Sequence, residues 1–107
     1  MVVPLLSVGG KGVISVLANI APRETHDMVE LYLNGETTKA SEIQLKAMPL
    51  IAELFNEVNP IPVKAALNLQ GWNVGIPRLP LTEIEPHHKE ALRKAMADFG
   101  CLDIGLA

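Results

Sequence analysis

The chain has 107 residues, 49% of them hydrophobic and 20% charged, with 9 Lys and Arg against 12 Asp and Glu for a net charge of −3. That length holds one domain or part of one, and scattered cations without clustered aromatics exclude a nucleic-acid-binding surface. The single cysteine makes no internal disulfide, Met1-Val2-Val3-Pro4 carries no basic stretch before an apolar run, and no apolar run approaches the roughly 20 residues of a membrane span, so the chain is read as cytoplasmic and without membrane contact.

Met1 to Val8 is apolar and stops at Gly9-Gly10, the pattern of a helix end closed by a glycine cap. Gly12-Val13-Ile14-Ser15-Val16-Leu17 is a β-branched run that predicts a strand buried on both faces. One strand alone leaves its N–H and C=O groups unpaired, so its neighbours must come from elsewhere. A helix is predicted over 22–34, with Pro22 early, Glu24 and Asp27 in the first turns, Met28, Leu31 and Tyr32 at helical spacing, and Asn34-Gly35 as the stop. A second helix is predicted from Thr37 to Val58, with Ile43, Ala47, Leu50, Ile51, Leu54 and Val58 inward and Pro49 as a kink. Asn59-Pro60-Ile61-Pro62 punctuates the chain. Pro62 then opens a third helix, with Val63, Ala66, Leu67 and Leu69 inward and Gly71 at its close. Trp72 to Pro80 contains too many breakers for regular structure. The last helix, Pro86 to Phe99, turns Leu92, Ala95, Met96 and Phe99 to one face and ends at Gly100.

Few side chains combine into chemistry. His87 and His88 point about 100° apart on a helix with no further His or Cys one turn away, so two solvated residues are expected there. His26 lies beside Asp27 without a nucleophile in register, and Cys101 has no basic neighbour to activate its thiol. The glycines of Gly9-Gly10-Lys11-Gly12 precede a predicted strand, whereas a phosphate loop leads into a helix. A Schiff-base lysine must be desolvated and aimed into a pocket, and none of Lys11, Lys39, Lys46, Lys64, Lys89 and Lys94 fits that description. No catalytic residue, metal ligand or cofactor site is therefore assigned to this chain.

The run from Leu5 to Pro22, LLSVGGKGVISVLANIAP, together with Asn59-Pro60-Ile61-Pro62-Val63-Lys64 and Arg78-Leu79-Pro80-Leu81, resembles the C-terminal part of dihydrodipicolinate synthase. That family lies within the wider superfamily of N-acetylneuraminate lyase and related pyruvate-dependent aldolases. The resemblance implies an α/β fold: the C-terminal fragment of a (β/α)8 TIM barrel followed by a C-terminal helical extension, mostly α as an isolated chain. Residues 1–34 would finish the barrel with the end of helix seven, strand eight and helix eight, and residues 35–107 would form the extension. The family condenses pyruvate with aspartate semialdehyde on the lysine pathway, through a Schiff base on a barrel lysine. The resemblance puts that lysine, the proton-shuttling tyrosine and the allosteric lysine site upstream of this chain. It carries over two positions here: Ile14, at the pyruvate end of the eighth strand as barrel core or substrate contact, and Val8, on a helix at the weaker subunit contact of a tetramer.

The expected partners are thus the missing N-terminal barrel portion and further copies of the chain, with pyruvate bound only in the complete enzyme. A mean hydropathy of +0.25 is apolar for a chain covering its own surface, which also suits two alternatives. One is a self-associating helical interaction module. The other is one half of a split pyruvate-dependent aldolase.

Overall fold

The computed structural model of the chain describes residues 1–102. Among them every regular element is helical, and they fall into two compact units divided between Met48 and Pro49.

In the first unit, α1 (Val2–Ser7) and a 3-10 turn at Leu17–Asn19 pack on α2 (Pro22–Leu33). Val2, Leu6, Leu17, Ile20 and Met28 are buried, each about 5% exposed or less. Helix α1 is short, and its ends explain how it holds. Its Val3 N–H, one of the donors that a helix start leaves unpaired, goes to the Oε1 of buried Gln44 at 3.1 Å. Its other end closes on the glycine pair: the Gly9 N–H bonds the Leu6 carbonyl at 3.2 Å and the Gly10 N–H bonds the Leu5 carbonyl at 3.0 Å, with Gly9 at φ 105°. Helix α2 ends the same way on Asn34-Gly35, with the Glu36 N–H reaching back to Leu31.

The predicted strand at Gly12 to Leu17 does not form. Lys11 to Ser15 is irregular, makes no backbone hydrogen bond among the described residues, and passes into the 3-10 turn that takes up Leu17. A ladder needs a second strand, and the described residues supply none.

Helix α3 (Thr37–Leu54) contains Pro49, the residue at which the second unit begins. Ala47, Leu50 and Leu54 of its predicted stripe are buried and Ile43 and Ile51 half-buried, but Val58 is 65% exposed and outside the helix. The helix stops four residues short of expectation. Its last turn tightens to bonds of the i to i−3 kind, from Phe55 to Ala52 and Asn56 to Glu53.

In the second unit α4 (Ile61–Leu69) packs on α5 (Pro86–Phe99), and Ile61, Val63, Ala66, Leu92, Met96 and Phe99 of these helices are buried, as is Leu54 at the end of α3. Gly71 and Gly100 close these helices as expected. The connection from Trp72 to Glu85 has no helix or strand. Asn68 on α4 holds part of it, donating its Nδ2 to the Gly75 carbonyl at 2.9 Å and accepting the Val74 N–H at 2.8 Å.

Candidate functional site

The two carried-over residues, Ile14 and Val8, both lie in the first unit. Ile14 is fully exposed, in the segment that makes no backbone hydrogen bond among the described residues. Val8 is 82% exposed at the end of α1, one turn from exposed Leu5. Val13, Ser15 and Val16 are half-buried, so Ile14 is the outward residue of its stretch. This part of the unit presents apolar side chains and unpaired peptide groups together, a surface suited to burial against protein.

The lysines answer the question of covalent chemistry. None of the six is buried: Lys64 is half-buried and the other five are exposed. The Lys64 ammonium lies 3.5 Å from the Ile76 carbonyl, at a cleft of about 210 Å³ whose walls include Ile61, Asn68, Ile76, Glu83 and Lys89. Lys39 pairs with Glu36 at 2.9 Å, and the hydrogen bond and charge of Glu36 raise its pKa.

The densest polar arrangement involves residues read as solvated. His88, in the first turn of α5, places its Nδ1 at 2.6 Å from the Oε2 of Glu57, and the same oxygen accepts the Glu85 N–H at 2.9 Å. Both side chains are largely covered, at 23% and 16% exposure, so for His88 the expectation of a solvated residue is corrected. Burial pushes the Glu57 carboxyl pKa up, but the Glu85 N–H and the His88 imidazole outweigh it and hold the group below the usual carboxylate range. His87 stays exposed, with its ring centre 4.1 Å from that of His88 and its Nδ1 3.5 Å from the Glu85 carboxylate. Sequence reading missed Glu57 and Glu85. Glu57 lies 31 residues from His88, and no periodic signal links the end of one helix to the start of another.

Of the other singled-out residues, His26 is exposed on α2, and Cys101 is buried just beyond α5.

Residues 1–98 match the dihydrodipicolinate synthetase family. The chain is 64% identical over 99 residues to the 4-hydroxy-tetrahydrodipicolinate synthase of Caldicellulosiruptor bescii, an alignment covering 92% of this chain and 34% of that protein. It superposes on the crystal structure of the Cyanidioschyzon merolae enzyme with lysine bound at a TM-score of 0.90 and 44% identity, covering 94% of this chain and 34% of that one. For the Thermotoga maritima dihydrodipicolinate synthase the TM-score is 0.91 at 42% identity, with the same coverage. The chain thus spans about a third of the length of the relatives it matches.

Proposed function

Because the chain belongs to the dihydrodipicolinate synthetase family, we propose that it forms the C-terminal portion of a 4-hydroxy-tetrahydrodipicolinate synthase and is inactive until joined to the rest of the barrel. The family match over residues 1–98, set against the third of each relative that is covered, carries this reading. In it, residues 1–34 complete the barrel and residues 35–107 form the helical extension. Gly12 to Leu17 becomes the eighth strand, paired on both sides by strands of the N-terminal portion. The unpaired peptide groups of Lys11 to Ser15 support that assignment, because pairing would satisfy them. Ile14 would then turn inward near the pyruvate, and Val8 would cover a neighbouring subunit of a homo-oligomer.

The reaction asks a lysine amine to attack the pyruvate carbonyl, which needs a desolvated amine beside a proton shuttle. No lysine here is buried, and the only tyrosine, Tyr32, is half-buried on α2. In this reading the chain contributes walls and packing to the site, and the nucleophile comes from the missing portion.

A chimera tests this. The chain replaces the corresponding third of the C. bescii enzyme, and both chimera and isolated chain are treated with pyruvate and borohydride and mapped by mass spectrometry. The chimera is expected to be trapped on a lysine outside this chain and to turn over, while the isolated chain takes up no pyruvate. A folded chimera that forms no adduct, or an adduct on a lysine of the isolated chain, overturns the reading.

A further inference from the structure

The first turn of α5 holds a group of side chains that the synthase chemistry does not use. Glu85, His87 and His88 each offer one ligand atom, and these atoms all lie within 4.8 Å of one another. The geometry points to a site for a divalent transition metal of the zinc class, bound by the Glu85 carboxylate and the His87 and His88 imidazoles and oriented by Glu57 from behind His88.

Three features carry this. The first is the contact behind the ligand. An ionised carboxylate only accepts, so in the 2.6 Å contact with Glu57 the His88 Nδ1 is the donor, and it is Nε2 that the neutral ring would turn to a metal. A carboxylate behind a histidine, fixing tautomer and ring plane, is the usual outer support of a ligating imidazole. The second is that the same Glu57 oxygen holds the Glu85 N–H at 2.9 Å, so one carboxylate anchors the backbone of one ligand and the ring of another. Pro86 at the start of α5 further restricts the link between Glu85 and His87. The third is charge. A helix start disfavours a cation, but Glu57 and Glu85 bring two carboxylates to the same place. Two imidazoles and one carboxylate suit zinc, nickel or copper rather than magnesium or calcium, which prefer all-oxygen sites. Three protein ligands would leave one position for water.

The test titrates the full chain with Zn²⁺ by calorimetry, with Mg²⁺ as the hard-cation control. Saturable binding of one Zn²⁺ and none of Mg²⁺ is expected. His88→Asn and His87→Asn should each weaken it at least about tenfold, Glu57→Gln by about tenfold or more through the lost support, and His26→Asn should leave it unchanged. A second measurement needs no variant: Zn²⁺ should shield His87 and His88, but not His26, from diethylpyrocarbonate in the unaltered chain. The site is refuted if the parent shows no saturable Zn²⁺ binding, if the His87→Asn/His88→Asn double variant binds as the parent does, or if all three histidines stay equally reactive with Zn²⁺ present.

Discussion

The side-chain Nε2 of Gln70, at the end of α4, donates a 2.7 Å hydrogen bond to the main-chain carbonyl of Cys101, just past the end of α5. Both residues are buried, at 2% and 1% exposure. The bond ties together the C-terminal ends of two helices that pack through apolar faces, Val63 and Ala66 on one and Leu92 and Met96 on the other. Gln70→Leu keeps most of the volume but removes the donor from a buried carbonyl. It is expected to cost about 1–3 kcal/mol, read as a lower urea midpoint at unchanged slope.

Two neighbouring glycines should behave in opposite ways. A Cβ on Gly10 would stand 2.8 Å from the Leu5 carbonyl oxygen, which is backbone that already accepts the Gly10 N–H and cannot swing aside. Gly12 has nothing within 4 Å of such a Cβ and no positive φ. Gly10→Ala should therefore destabilise the first unit by about 1–3 kcal/mol, and Gly12→Ala should stay within about 0.5 kcal/mol of the parent. Thermal melts of the two variants side by side make the comparison.

Leu92 and Leu79 test burial in the second unit. Leu92 is 0% exposed on α5 and Leu79 is 87% exposed in the connection before it. Leu92→Ala should cost about 2–5 kcal/mol through lost transfer energy and the cavity left behind. Leu79→Ala should be near neutral when measured by the same denaturation. An equal loss at both positions would mean that Leu79 is covered in solution, for instance by a second copy of the chain.

Ile14 separates the isolated chain from the complete enzyme. Fully exposed here, it should accept Ile14→Asp with a change in melting no larger than that of any surface substitution. In the chimera with the C. bescii enzyme the same change should lower both pyruvate binding and stability, because a carboxylate in a packed barrel mouth is desolvated and repels the pyruvate carboxylate. Ile14→Val should keep most of the activity, at a cost of roughly 0.5–1.5 kcal/mol. Steady-state kinetics and melts on both forms decide, and an Ile14→Asp chimera indistinguishable from its parent removes Ile14 from core and site alike.

Exposed Leu5, Val8 and Ile14, beside peptide groups with no partner among the described residues, predict that the isolated chain associates. Light scattering at tens of micromolar should give a mass above one chain, falling when Val8 and Ile14 are both replaced by Ser. A compact monomer with cooperative unfolding would show that this surface tolerates water.

What was legible in the residues alone was whatever a few neighbouring positions decide. The helices at 22–34 and 86–99 and the glycine stops at positions 9, 35, 71 and 100 follow from local spacing, proline placement and the φ that only glycine adopts cheaply, and they form within a residue of expectation. The family was legible too, because its motifs are runs of adjacent residues. The strand at Gly12 to Leu17 was not decided locally: its β-branched pattern is real, but a strand exists only with a neighbour, and the described residues contain none. Nor could spacing show that Gln44 would close the start of a helix 41 residues earlier, or that Glu57 would stand behind His88. Those pairs depend on how helices pack, since a buried donor or carboxylate takes whichever partner the packing brings within about 3 Å, and chain separation does not enter that choice.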